Sequence, residues 1–231
     1  MAYNDKNRVP INISERLVEF IQKNRKAIII WMAGIAVLVT ALIAGMGVQN
    51  YIRTEAISRV ERFNDQFEAL RIDLNDPAKA GDVQALLDEL IPFAEKTSAY
   101  AGARAYMILA TVYADQKKWA EAEKAWTMAA RKAPKASYLV PVSLYQAAVA
   151  AEDQGNITQA ISLYTESLSY AEQFPAAPRA QFAIGRLLEG QNNHAEAVEA
   201  YRTLIDKWPA EAFWTNLANN RIITLTVSGS L

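Results

Sequence analysis

The sequence predicts an all-α protein in which one N-terminal transmembrane helix is followed by an α-solenoid of stacked helix pairs. One uncharged run of 22 residues is almost wholly apolar. Beyond it, apolar residues recur at three- and four-residue spacing through most of the chain, which is the period of amphipathic helices. The helix-pair pattern itself recurs every 37 or 38 residues, and a period of that size indicates a repeat architecture.

Length and composition restrict the function as well as the fold. A chain of 231 residues has room for one anchor and one helical domain. The formal net charge of -1 argues against a nucleic-acid-binding protein, because phosphate recognition needs an excess of Lys and Arg. The chain contains no cysteine, so it has neither disulfides nor thiolate metal sites.

Residues 27–48 form the predicted transmembrane helix. Thr40 is the only polar residue of this run, and at about 1.5 Å per residue the run crosses a hydrocarbon core of about 30 Å. Trp31 and Tyr51 lie near its two ends, where aromatic rings favour the membrane–water interface. A buried core helix or a cleaved signal peptide would have a shorter apolar run.

Basic residues are concentrated on one side of this run. Lys23, Arg25 and Lys26 precede it directly, whereas the arginines after it are interleaved with glutamates over residues 53–62. The positive-inside rule therefore predicts that residues 1–26 are a cytoplasmic tail. In a bacterium, this gives a single-pass inner-membrane protein with a periplasmic C-terminal domain. The inverted topology, a receptor that faces the cytosol, stays open as an alternative.

Ala41 and Gly45 are small residues one helical turn apart inside the anchor. Such pairs let two membrane helices approach closely, so the anchor is compatible with a homo-oligomer. Small residues are common in membrane spans, and the pair alone does not decide the oligomeric state.

Residues 49–101 are predicted to be an N-terminal helical region. A long helix is expected from Thr54 to Leu74, where residues 75–77 break it, and a second helix is expected over residues 82–96. The two helices form either a degenerate repeat or an N-terminal cap.

Residues 102–231 are predicted to be a repeat domain. Three units, around residues 103–136, 141–175 and 178–211, each contain two helices and a short polar turn, and a last helix over about 212–225 caps the array. The second helix of each unit carries a small residue and, four positions later, an aromatic residue. These pairs are Ala122 and Trp126, Ala160 and Tyr164, and Ala197 and Tyr201. The residues and their spacing resemble the tetratricopeptide repeat.

The small residues of each unit allow two helix backbones to approach, and the aromatic residue fills the gap against the next unit. Ala122, Ala160 and Ala197 are spaced by 38 and 37 residues, more than the usual repeat length of about 34. We therefore expect extended loops between the units.

The order of parts over nearly the whole chain resembles the YfgM-like family of ancillary Sec translocon subunits. The local carriers are three short segments, residues 24–26, 94–103 and 219–222, which read Asn-Arg-Lys, Ala-Glu-Lys to Tyr-Ala-Gly-Ala, and Asn-Asn-Arg-Ile. The resemblance implies a membrane-anchored tetratricopeptide repeat protein that associates with the translocon and with periplasmic chaperones.

No motif in the sequence points to catalysis. Phosphate-binding loops, nucleophile elbows and zinc-binding helices of the familiar patterns do not occur. His194, the only histidine, falls in a predicted polar turn and is expected to be solvated. The carboxylate pairs Glu121 with Glu123 and Glu152 with Asp153 are expected to be solvated helix surface. The sequence thus predicts neither an enzyme nor a cofactor or metal site.

A protein-binding surface remains as the candidate site. In arrays of this type, outward positions of the first helix of each pair line a concave wall. The candidates are Arg104, Met107, Thr111, Tyr145, Val149, Arg179, Phe182 and Arg186. Arginines beside aromatic side chains suit an extended or helical partner segment.

Two functions fit this surface. The first is a periplasmic interaction module that links the translocon with chaperones during protein export. The second is a structural scaffold subunit of a larger envelope assembly, such as flagellar, secretion or division machinery.

Overall fold

The computed structural model describes residues 13–72 and 76–227, and over these residues the chain is helical without strands. The helices are α1 (Ile13–Arg71), α2 (Ala80–Lys96), α3 (Ala99–Asp115), α4 (Trp119–Lys132), α5 (Leu139–Asp153), α6 (Ile157–Leu168), α7 (Ala177–Gly190), α8 (His194–Lys207) and α9 (Ala212–Val227). Two short 3-10 turns lie at Pro77–Lys79 and Ala171–Gln173. The predicted all-α fold class is confirmed.

The chain divides into two compact units, of which one ends at Thr54 and the other begins at Glu55. In the first unit, the large apolar side chains from Ile29 to Val48 are each at least 45% exposed. Such a helix is long and apolar enough to cross a membrane. It is the candidate membrane span at the predicted position, while residues 1–12 of the predicted tail lie outside the described residues.

The helix expected to begin at Thr54 does not begin there. Helix α1 is continuous from Ile13 to Arg71. The Thr54 hydroxyl donates to the carbonyl of Asn50 one turn earlier, at 2.9 Å, instead of accepting from a following backbone amide. Without a cap, a proline or a glycine between Val48 and Thr54, nothing in this stretch ends the helix. Leu74, its expected last residue, lies outside the described residues.

In the second unit, α3–α4, α5–α6 and α7–α8 are the three predicted helix pairs. Each turn holds one residue in the left-handed region, Lys117, Gly155 and Asn192, with φ of 58°, 77° and 60°. The next residue's amide closes back on the first helix, for example from Asn156 to the carbonyl of Ala151 at 2.9 Å. This bond satisfies a carbonyl at the helix end that would otherwise lack a partner.

Close backbone approach holds each pair together. Ala122, Ala160 and Ala197 are completely buried, and a Cβ added to Gly185 would lie 2.5 Å from Cε1 of Tyr201. The segments between pairs, residues 133–138 and 169–176, are longer than the turns within them, so the expectation of extended loops between the units is confirmed.

Large side chains fill the core of the N-terminal region. Val60, Phe63 and Phe67 of α1 are buried, as is Leu90 of α2. The rings of Phe63 and Phe93 meet edge to face with centroids 5.3 Å apart. Whether this region counts as a degenerate repeat or as a cap stays a prediction.

Helix α9 lies against α8 and ends the described array, at the position expected for the capping helix. Thr215, Ala218 and Leu225 form its buried side.

Candidate protein-binding groove

The candidate residues occupy equivalent places in successive helix pairs. Counted back from the left-handed turn residue, Met107, Tyr145 and Phe182 share one position, Thr111, Val149 and Arg186 share a second, and Arg104 and Arg179 share a third. The first helices of the pairs therefore present them on one wall of the solenoid.

Two adjoining cavities lie along this wall and together form what we call the α5–α9 groove. The first has a volume of about 300 Å³ and is lined by Tyr145, Val149, Glu152, Asp153, Tyr164, Arg179, Phe182, Ala183, Arg186 and Trp214. The second, of about 480 Å³, is lined by Phe182, Arg186, Glu189, Gly190, Tyr201 and Arg221. Phe182 and Arg186 belong to both cavities, so the groove crosses from α5 over α7 to α9.

Part of the predicted site is brought together in this groove. Its walls include Tyr145, Val149, Arg179, Phe182 and Arg186. Tyr145 is only 8% exposed and belongs to the core, so the prediction of an outward position is wrong for it. Arg104, Met107 and Thr111 lie on α3, outside both cavities, and are half-buried. A role of any of these residues in binding stays a prediction.

Aromatic rings give the groove its apolar surface. Tyr145 packs against Tyr164 with ring centroids 5.3 Å apart, and Phe182 contacts Tyr201 at 5.3 Å and Trp214 at 5.7 Å. Because Tyr164 and Tyr201 are buried, the groove rings rest on the core of the helix pairs. The apolar wall is therefore held in place before any partner arrives.

A glutamate, a tyrosine and an arginine meet at the end of α5. Glu152 accepts a hydrogen bond from the Tyr164 hydroxyl at 3.3 Å and pairs with Arg186 of α7 at 2.5 Å. We call this arrangement a Glu–Tyr–Arg cluster. It joins both helices of one pair to the first helix of the next.

A second Glu–Tyr–Arg cluster lies at the end of α7. Glu189 accepts from the Tyr201 hydroxyl at 3.0 Å and from Nε of Arg221 at 3.1 Å, and Nη2 of the same arginine donates to its other oxygen. Burial raises the pKa of Tyr201 to about 12 and also raises the pKa of Tyr164. Both phenols therefore remain protonated donors at neutral pH.

The clusters were missed by sequence reasoning. Glu152 and Glu123 are half-buried, and Glu123 accepts from the Gln154 side chain at 2.7 Å, so the expectation of solvated surface is wrong for both. The signal was available as two Glu-to-Tyr spacings of twelve residues, Glu152 to Tyr164 and Glu189 to Tyr201.

His194 also differs from its expected place. The turn ends at Asn193, so His194 is the first residue of α8 instead of a turn residue. Its side chain is half-buried. Its Nδ1 is buried and makes no hydrogen bond to the part of the chain that the structure describes. Across residues 13–72 and 76–227, no group of three or more metal-ligating side chains of the His, Asp and Glu types comes together.

The comparisons with known proteins agree with this geometry. A tetratricopeptide repeat family model matches residues 145–212. The chain is 28% identical over 236 residues to a TPR repeat-containing protein of Treponema pallidum (strain Nichols), covering 93% of this chain and 95% of that protein.

Solved structures show the same fold. The chain resembles the nearly identical TPR-like repeats of a kinesin light chain from Podosopora anserina, with a TM-score of 0.54, 14% identity and coverage of 74% of this chain and 88% of that one. A single-substitution variant of the same repeats gives a TM-score of 0.53 at 15% identity over the same shares.

The repeat sequence and the fold support a tetratricopeptide repeat protein. Tetratricopeptide solenoids are typically non-catalytic scaffolds that bind other proteins. The helical domain is a protein–protein interaction module of this type.

Proposed function

We propose that the chain is a membrane-anchored adaptor whose α5–α9 groove binds a segment of a partner protein. One observation carries the proposal: five candidate residues from α5 and α7 meet in a single preformed cavity of about 300 Å³ with an aromatic wall. Preformed grooves of mixed apolar and charged lining suit short protein segments, since little ordering is needed in the groove itself.

The anchor gives the adaptor its place of action. An exposed apolar helix over residues 27–48 is unfavourable in water and favourable in a bilayer. Basic residues before it favour a cytoplasmic N-terminus and a periplasmic groove. Tethering to a membrane raises the local concentration of the groove near any membrane channel.

Within this proposal, the partners are the Sec translocon and periplasmic chaperones. The support is the order of parts, with a basic tail, one anchor, a helical region and a short repeat domain, which resembles the YfgM-like family. A groove beside the exit of a channel would meet chains and chaperones there.

Photocrosslinking in intact membranes tests this function. A benzophenone residue at Val149, inside the groove, is expected to capture a translocon subunit or a chaperone. The matched control is Ser162, which is exposed on α6 and outside the groove. Equal capture at both positions, or capture of neither class of protein at Val149, would contradict the proposal. Protease protection of the C-terminal domain in sealed vesicles tests the topology separately.

A scaffold subunit is the second candidate, and one observation favours it. Helix α9 exposes Phe213, Ile223 and Val227, at 70%, 60% and 82%, on the end of the array. Exposed apolar side chains on the last described helix suit side-by-side packing of copies. A detergent-extracted complex of high and defined copy number would support the scaffold, whereas a monomer or a small complex would support the adaptor.

A further inference from the structure

The arginines of the α5–α9 groove are not equivalent. Arg186 is paired with Glu152, and Arg221 is paired with Glu189. No carboxylate of the described residues lies within ion-pair distance of Arg179, although it lines the same cavity. The Arg179 side chain is exposed, and its guanidinium carbon lies 5.6 Å from the ring centroid of Tyr145.

We propose that Arg179 is the anion-binding position of the groove, and that it takes the side-chain carboxylate of an Asp or Glu inside an extended partner segment. The inference rests on the proposed function and names the chemistry of its partner. It predicts that the three groove arginines contribute unequally to binding, with Arg179 contributing most.

The Glu–Tyr–Arg clusters leave Arg179 available to a partner. Arg186 and Tyr164 already occupy both oxygens of Glu152, so that carboxylate does not turn toward Arg179. A cation–π contact with the Tyr145 ring and a side-chain hydrogen bond to the same residue restrict the guanidinium, which lowers the entropy lost when a carboxylate binds it. A partner carboxylate would then form charge-assisted hydrogen bonds, which are stronger than neutral ones.

The surroundings of Arg179 define the neighbours of that carboxylate. Phe182, Trp214 and Val149 line the same cavity and suit an apolar or aromatic side chain beside the acidic one. Asp153 also lines it and is exposed, which disfavours a second acidic residue there and favours a neutral or basic one.

Because the groove crosses three helices, the acidic group is expected on a residue inside the partner segment and not at the partner's chain end. Tyr145 lies on α5, Arg179 on α7 and Trp214 on α9, so wall residues flank Arg179 on both sides. A segment that contacts all three helices continues past Arg179 in both directions. Its acidic group at that point is therefore a side chain.

Selection from a displayed library of random 12-residue peptides, flanked at both ends by fixed linkers, tests the inference with the full chain in detergent micelles. The enriched peptides are expected to contain an Asp or Glu next to an apolar or aromatic residue. A selected peptide is then made with blocked ends, and its Kd is measured by fluorescence anisotropy. Arg179→Gln is expected to weaken binding roughly 10- to 100-fold.

The matched control is Arg202→Gln, which changes an arginine that is exposed on α8 and lies outside both cavities of the groove. It is expected to change Kd less than about twofold, which is about 0.4 kcal/mol. Changing the acidic residue of the peptide to its amide should raise Kd by the same factor as Arg179→Gln. The amide peptide measured with Arg179→Gln should show a Kd only slightly higher than either change alone gives, because both changes remove the same contact.

Two outcomes separate this inference from the proposed function. In the first outcome, Val149→Trp fills the groove and abolishes binding of the selected peptides, but these peptides lack an acidic residue or bind Arg179→Gln with unchanged Kd. This result would overturn the inference and leave the groove as the binding site. If no selected peptide responds to Val149→Trp, the proposed function itself fails. Thermal unfolding of each variant confirms that it is folded.

Discussion

The first helix pair, α3–α4, and the two pairs that follow share turn geometry and close helix packing, yet they fill three matching positions differently. Where the later junctions have Glu152, Tyr164 and Arg186, or Glu189, Tyr201 and Arg221, the first junction has Ala114, Trp126 and Val149. The first junction therefore has apolar side chains at these positions, and the later ones have charged clusters.

This difference separates what the repeat needs for folding from what the groove adds. Close packing of small residues and one aromatic residue occurs at all three junctions, and at the first a hydrogen bond from Gln154 to Glu123 also joins the end of α5 to α4. The charged clusters occur only where the α5–α9 groove lies. They pair two of its arginines, Arg186 and Arg221, and among the described residues the third, Arg179, has no ion pair.

The largest effect is expected where Gly185 of α7 meets the Tyr201 ring of α8. Gly185→Ala places a Cβ 2.5 Å from Cε1 of Tyr201, a ring that Phe182 and Glu189 hold in place. We expect a loss of about 1–3 kcal/mol in the free energy of unfolding, since the ring must shift in a packed core. Urea or thermal unfolding monitored by circular dichroism measures it.

Gly190→Ala is the control for this change, because it lies on the same helix with nothing within 4 Å of the added Cβ. It should leave stability unchanged or raise it, by up to about 1 kcal/mol, through better helix propensity. Equal losses for both variants would show that helix geometry, and not the contact with Tyr201, decides the effect.

The two charged clusters should differ in strength. Glu189→Gln is expected to cost about 1–2 kcal/mol of unfolding free energy, because it weakens three hydrogen bonds to a carboxylate that is 16% exposed. Glu152→Gln should cost less, since that side chain is 25% exposed and Arg186 is 49% exposed. Paired denaturation curves measure the order, and a larger loss for Glu152→Gln would contradict it.

The first pair has a polar link of its own that points toward the N-terminal region. Lys132 of α4 donates to the carbonyls of Glu95 and Thr97 at the end of α2, at 2.7 and 2.9 Å. Lys132→Met should cost about 1 kcal/mol, because the methionine keeps the apolar stem and removes the donor to a helix C-terminus.

Arg131→Met is the control for the Lys132 change. Arg131 is next to Lys132 in the last turn of α4, and its side chain is exposed. Unfolding free energies of the two variants within about 0.3 kcal/mol of each other would contradict the proposed link.

Local signals in the sequence predicted the helices, the turns and the repeat, because periodicity and turn residues act over a few positions. The clusters were harder to predict because their members lie 12 and 34 residues apart, for Glu152 with Tyr164 and with Arg186. Arg104 and Arg179 have the same place in the repeat, and only the tertiary packing of α5, α7 and α9 decides which one lines a cavity.

The smallest expected effect is the pH dependence that Tyr201 gives to its junction. The first junction has Trp126 in the tyrosine position, but burial also raises the pKa of Tyr106 and Tyr113 on α3. Burial raises the pKa of Tyr201 from 10.0 to about 12. Below pH 10 the phenol is protonated in both states and its contribution to stability is fully present. Between about pH 10 and 12 only the unfolded state ionises, so this contribution is lost as the pH rises.

Tyr201→Phe removes the titrating group and one hydrogen bond to Glu189, so it should lower stability at pH 8 by about 1 kcal/mol and flatten the decline above pH 10. Tyr138→Phe, at a residue that is 58% exposed, is the control and should keep the decline. Denaturation curves at pH 8, 10 and 11 compare the variants. An equally steep decline in Tyr201→Phe would assign the alkaline loss to groups other than Tyr201.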